Sequence, residues 1–183
     1  MEPTDLPSTL DAEPFRLRLV RASDEAAVIA CVQDPEIPRW TTVPSPYGAE
    51  QFQNYRRVVA EAYEARSGLH MLIVDDADRV LGALGTRMNW KLEEAEIGYW
   101  LAAEARGRGV VNRTARVLCT WLFERGFQRI EARALRGNAA SSRALARLGF
   151  RHEGTLRSVA AHGCGRDARV EMEVHGLLPG ELV

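Results

Sequence analysis

The feature that most limits what this chain can fold into is an abrupt change of hydrophobic period at Arg106. Before it, "EIGYWLA" reads as a strand. After it, Val110, Thr114, Val117, Leu118, Trp121 and Leu122 recur at helical spacing, with Arg113, Arg116, Thr120 and Glu124 opposite. Gly126 stops that helix. A strand feeding directly into an amphipathic helix requires a layered arrangement in which the helix returns its apolar stripe to the sheet. The short connector "ARGRG" must therefore do two things at once, reversing the chain and carrying positive charge.

The flanking segments extend the pattern. "FRLRLV" (15–20) alternates like a half-buried strand, and "ASDEAAVIACVQD" starts with a Ser/Asp cap and reads as a short helix. Residues 35–48 hold four prolines and read as a loop. Residues 49–66 are helical, and "LHMLIVDD", "VLGALGTRMNW" and "EIGYWLA" follow as strands at hairpin spacing, hence antiparallel. Beyond Gly126 come the strand "RIEARAL", a helix capped by Asn138, and two strands joined by a glycine-rich hairpin. The order predicts a mixed α/β sheet.

Composition narrows the setting. With 183 residues the chain supports one domain with a real core. Residues 1–13 are expected to be a disordered tail and 14–183 the folded domain. A net charge of −1 provides no global field for nucleic acid or an anionic membrane, so anion binding must be local. No signal peptide or membrane span is expected, and three scattered cysteines fit a reducing cytoplasm, so the expected location is cytoplasmic. No metal site is expected: His162 and Cys164 are too few and too close for zinc.

A helix beginning near Gly109 leaves its first N–H groups unpaired and carries partial positive charge there. Gly107 and Gly109 let the backbone approach a ligand, and Arg106 and Arg108 add charge, which together describe a diphosphate cradle. No Gly-Lys-Ser/Thr follows, so it is not a Walker A loop, and a third glycine for a Rossmann fingerprint is missing. A solvated arginine-rich turn is the plain alternative.

"GYWL", "ARGRGV" and Asn138-x-x-Ser141 before "LGF" together resemble the GNAT acetyltransferases, and more closely their RimJ/RimL-like branch, over residues 15–178. The resemblance implies a single α/β domain of α+β type, its mixed, mostly antiparallel sheet splayed at the centre, with helices on both faces. It implies acetyl-CoA as acyl donor, its diphosphate on the amides of Gly107–Val111, Val110 included. Leu101 and Ala102 are then expected to pair with the pantetheine arm, as is Asn138, whose other reading is helix cap. The motif's last small residue is Val111 here, a branched side chain that either crowds the phosphates or turns into the core.

The implied reaction is direct acetyl transfer to a primary amine. Neutralising an α-amine at pH 7 costs roughly 1 kcal/mol and a lysine about 4–5 kcal/mol, so a weak base suffices for an N-terminus. Glu96 is the candidate base, ahead of Glu94, and a backbone N–H near Leu101 the candidate carbonyl polariser. The family's acid tyrosine position is Leu145, which leaves Ser141 as the candidate acid, with Ser142 the poorer choice. Trp40, Tyr47 and Trp90 are candidate acceptor-wall aromatics; core packing is the alternative. The expected acceptor is a protein or peptide N-terminus, against a small-molecule amine such as a polyamine, amino acid or antibiotic, or a non-catalytic acyl-CoA binder. A homodimer is possible in this family, and no nucleic-acid partner is expected.

Overall fold

The computed structural model describes residues 5–160 and 169–183. Its strands are β1 (Thr9–Ala12), β2 (Phe15–Leu19), β3 (Gly68–Val74), β4 (Val80–Asn89), β5 (Glu94–Leu101), β6 (Arg129–Leu135), β7 (Arg151–Ala160) and β8 (Arg169–Leu177). Its α-helices are α1 (Glu25–Val32), α2 (Glu36–Trp40), α3 (Ala49–Glu64), α4 (Val110–Glu124) and α5 (Ala139–Ala146). The strands form one sheet in the order β1-β2-β3-β4-β5-β6-β8-β7. Every neighbouring pair is antiparallel except β5 and β6, which are parallel because α4 carries the chain back between them.

Helices cover both faces, and the burial of β3 shows why. Leu69, Met71 and Ile73 enter a large core beneath α4, whereas Leu72 and Val74 enter a smaller one with Phe52, Val28, Val32 and Ile37 from α3, α1 and α2. A strand sandwiched in this way reads as a continuous apolar run, as "LHMLIV" does. The helix α4 buries more than one stripe: Val111, Ala115 and Cys119 join Val110, Leu118 and Leu122 in the core. Cys119 is fully buried in that core, and burial pushes its thiol up to about 12. Gly126, at φ 90°, ends the helix in the left-handed region, and Phe127 N–H returns to Leu122 C=O.

Two segments depart from expectation. Residues 9–12 are not a tail but the edge strand β1, paired with β2 from Thr9↔Arg18 to Ala12↔Phe15. The Tyr63 hydroxyl donates to Leu6 C=O at 2.8 Å, fastening the segment before it. The polar composition that suggests disorder is that of an edge strand with one solvated face. Residues 1–4 lie outside the described residues. Within the proline-rich stretch, Glu36–Trp40 is helical because Pro35 caps it and Pro38 falls in the first turn, where no N–H is needed. The glycine-rich hairpin with His162 and Cys164 lies outside the described residues. No helix among those described is long and apolar enough to cross a membrane.

Candidate active site

The sheet opens at one place. Parallel pairing of β5 with β6 runs from Glu94↔Arg129 to Ile97↔Ala132 and ends there, while β5 stays paired to β4 as far as Gly82↔Leu101. Ala102 N–H donates to Leu81 C=O at 2.9 Å. Alternation along an antiparallel pair then turns the even-numbered N–H and C=O groups of β5 toward β4, and those of Tyr99 and Leu101 into the opening. This keeps Leu101 as a group able to pair with an extended ligand arm and removes Ala102. The amide of Ala102 is taken by β4 and its side chain is buried.

The opening widens into a cleft of about 410 Å³ lined by β5, β6, the first turn of α4, α5 and α2. Gly107 and Gly109 line it with φ of +73°, a conformation that favours glycine. A Cβ on either would meet nothing within 4 Å, so open space lies over the backbone. Gly109 is the N-cap of α4 and no side-chain cap is present. The amides at the head of this helix are thus left to a ligand. Val111 is 5% exposed and packed in the core, so its branched side chain turns inward rather than over the cradle. Val110 is fully buried and contributes through its backbone.

The two arginines behave differently. Arg108 is exposed and does not line the cleft. Arg106 reaches back instead: one nitrogen lies 3.0 Å from Leu101 C=O, to which it donates, and 2.7 Å from Asp34 Oδ2, just after α1. The approach to Asp34 is off the line of a hydrogen bond, so that hold is Coulombic.

On the other wall Asn138 caps α5, its Oδ1 accepting from Ser141 N–H at 3.1 Å. Nδ2 is left as the side-chain donor that Asn138 can offer a ligand. Asn112, on α4, donates Nδ2 to Ala144 C=O at 2.9 Å and locks the two helices together over the cleft. The Ser141 hydroxyl faces the Tyr99 hydroxyl at 2.9 Å. Burial pushes the Tyr99 phenol up and the Ser141 hydrogen bond offsets part of that. Ser142 is engaged elsewhere, with Asn138 C=O and Glu173.

Of the remaining candidates, Glu96 lies beside the cleft rather than in it. It occupies an adjacent polar groove with Arg87 and Arg133, 2.8 Å from Arg87 and 3.9 Å from Arg133 Nε. Arg133 lines both the groove and the cleft, so the two adjoin. Trp40 lines the cleft and donates its indole N–H to Glu36 at 2.9 Å. Tyr47 does not line it: it packs against the smaller core, and burial pushes its phenol up to about 12. Trp90 is a core residue, 7% exposed, its ring tilted against Phe127 at 4.9 Å and its indole N–H donating to Arg66 C=O. Neither Tyr47 nor Trp90 lines the cleft, since loop and strand position alone do not tell which face a ring takes.

Among the lining residues that sequence reasoning passed over are Tyr99, Asn112, Arg143 and Arg147. The arginines carried a legible signal, since Arg143 and Arg147 stand four apart and share a face of α5's last turns. Tyr99 carried none, because its partner Ser141 is 42 residues away. Among the described residues no group of three or more His, Cys, Asp or Glu is placed to hold a metal ion.

Comparisons with known proteins bear on the fold and the family. "Uncharacterized N-acetyltransferase YoaA" of Bacillus subtilis is 28% identical over 151 residues, covering 81% of this chain and 85% of that protein. The fold matches Mycobacterium smegmatis RimJ, solved with CoA-disulfide, at TM-score 0.83 and 23% identity, covering 96% of this chain and 90% of that one. It also matches a Salmonella typhimurium acetyltransferase described as modifying the N-terminal serine of ribosomal protein L7/L12. That match has TM-score 0.83 and 17% identity and covers 93% of this chain and 98% of that one. The acetyltransferase (GNAT) domain family matches residues 15–151, most of the chain and the whole of the splayed cleft with its cradle, and the chain belongs to that family.

Proposed function

We propose that this acetyltransferase uses acetyl-CoA to acetylate a primary amine, specifically the N-terminal α-amine of a protein or peptide. One observation carries the reading. The β5–β6 pairing stops at Ile97↔Ala132 directly beside a helix head opened by two left-handed glycines. An extended thioester arm fits the strand gap by β-augmentation, and its diphosphate fits the amides. Acetyl-CoA supplies an activated acetyl group held as a thioester. The solved RimJ holds CoA-disulfide, and the Salmonella enzyme acts on a protein N-terminus, which supports both donor and acceptor class.

The chain's own residues then divide the work. Gly107–Val111 amides hold the diphosphate, and Arg143 and Arg147 line the same cleft with positive charge. Leu101 and Tyr99 present their backbone N–H groups to the arm and the carbonyl. Glu96 receives the acceptor's proton, through a water or by exchanging its contact with Arg133, while Arg87 keeps it in place. An α-amine asks only about 1 kcal/mol of such a base at pH 7, which matches a carboxylate already engaged in ion pairs. Ser141 donates its hydroxyl hydrogen toward the departing sulfur.

The test is release of free CoA against a panel of Ser-, Ala- and Thr-initiated peptides, polyamines and free amino acids. Turnover should be highest with peptides and should disappear when their N-terminus is blocked. Faster turnover with polyamines or amino acids would move the acceptor to a small molecule. CoA binding without turnover on any acceptor would leave a binder.

A further inference from the structure

We propose that Tyr99 is a positioning residue for Ser141: its phenol donates to Ser141 Oγ and so turns the serine's own hydrogen toward the leaving sulfur. This rests on the acetyl-transfer reading above. The family position for an acid tyrosine is filled by Leu145, 1% exposed in the core, so α5 offers no phenol there. Tyr99 supplies one from β5 instead, and its hydroxyl meets Ser141 at 2.9 Å across the cleft that both line.

The direction of that bond follows from chemistry. A hydroxyl has one hydrogen and two acceptor sites, and either partner can donate. Phenol is far more acidic than an alkyl alcohol, so the better arrangement has Tyr99 donating and Ser141 accepting. Ser141's position is fixed independently, because its N–H is held by the Asn138 cap at 3.1 Å. With its oxygen occupied by Tyr99 and its backbone by Asn138, the serine hydrogen is left to point into the cleft. Were Ser141 instead to donate to Tyr99, it would have no hydrogen for sulfur.

In the reaction a C–N bond forms between amine and acetyl carbon, and the C–S bond breaks with its electron pair going to sulfur. Ser141 Oγ–H stabilises that developing thiolate, strengthened by the Tyr99 hydrogen bond behind it. The proton that finally neutralises sulfur is the one the amine gives up, delivered through solvent. No other reactant is needed.

The experiment has two readouts on wild type, Tyr99→Phe, Ser141→Ala and the double variant. The first is kcat for acetyl transfer. The second, independent of any acceptor, is the pKa of bound CoA's thiol, followed by thiolate ultraviolet absorbance. Ser141→Ala should lower kcat about 10- to 100-fold, the range for a hydrogen bond to a charged group, and Tyr99→Phe about 5-fold or more, each with an unchanged KM for acetyl-CoA. Both should raise the bound thiol's pKa. Adding Tyr99→Phe to Ser141→Ala should change either readout less than about twofold, since Tyr99 acts only through the serine. A full Tyr99→Phe effect in the Ser141→Ala background, an unchanged thiol pKa in Tyr99→Phe, or an effect on KM alone would overturn the assignment. Failure of wild type to bind CoA would instead overturn the acetyl-transfer reading beneath it.

Discussion

Gly107→Ala separates the cradle's two demands, backbone shape and open space. At φ +73° an alanine is strained by roughly 1–2 kcal/mol. Because a Cβ at Gly107 meets nothing within 4 Å, no packing clash adds to that figure. For a chain of 183 residues, each 1 kcal/mol moves Tm by about 2–4 °C, so the ligand-free variant should melt roughly 2–8 °C lower. The same Cβ projects into the space assigned to the diphosphate. At 100 times Kd, a ligand stabilises the native state by about 2.7 kcal/mol, so saturating CoA should raise the wild-type Tm by roughly 5–11 °C. In Gly107→Ala at the same CoA concentration most of that rise should vanish. Gly180→Ala is the matched control: φ is +88° with nothing within 4 Å of a Cβ, and Gly180 does not line the cleft. It should lose similar stability without ligand and keep the whole CoA shift. The assay is differential scanning fluorimetry with a CoA titration. An undiminished CoA shift in Gly107→Ala would refute the cradle, since strain would then be the glycine's only reason.

Three further outcomes follow from named contacts. Glu96→Gln should lower kcat for a peptide acceptor about 10-fold or more and make the rate follow the amine's own ionisation, near pH 8; an unchanged pH–rate profile removes Glu96 from proton transfer. Asp34→Asn frees Arg106 from its 2.7 Å ion pair for the diphosphate, so CoA should bind about 2- to 5-fold tighter by calorimetry; weaker binding would make the pair a support of the cradle rather than a competitor. His70 is held below its ordinary range by burial and by Arg87. Its unfolded form therefore binds a proton first, so stability falls as pH drops below about 6.5 and levels off below the folded value. His70→Gln should flatten that limb in urea melts at pH 7.5 and 5.5, and an identical slope would assign it to other groups.

Part of the candidate site is legible in the sequence, for reasons that differ by residue. Gly107 and Gly109 stood out because glycines between arginines at a strand-to-helix junction let the backbone approach an anion, whereas their positive φ is a feature of the folded turn. Asn138 did so as a helix cap, whereas Val111 stayed open between the phosphates and the core until the folded helix showed it buried. What stayed hidden depends on pairings distant in the chain. Whether Ala102 or Leu101 faces the gap is set by which N–H meets Leu81 on β4, and a one-residue difference reverses the answer. Arg106 reads as a phosphate ligand until Asp34, 72 positions away, is seen to hold it. Trp90 and Tyr47 have the composition of a binding wall and the burial of a core, and sequence spacing cannot separate the two. The Tyr99–Ser141 contact joins a strand to a helix across the cleft, so neither residue's local pattern announces the other.

The most direct measurement is isothermal titration calorimetry of the full chain with CoA, repeated with pantetheine, which lacks the diphosphate and the nucleotide, in its place. If helix-head amides clasp a diphosphate beside a parted strand pair, CoA binds saturably at one site per chain and pantetheine binds far more weakly. No heat with millimolar CoA, or equal affinity for the two, would contradict it.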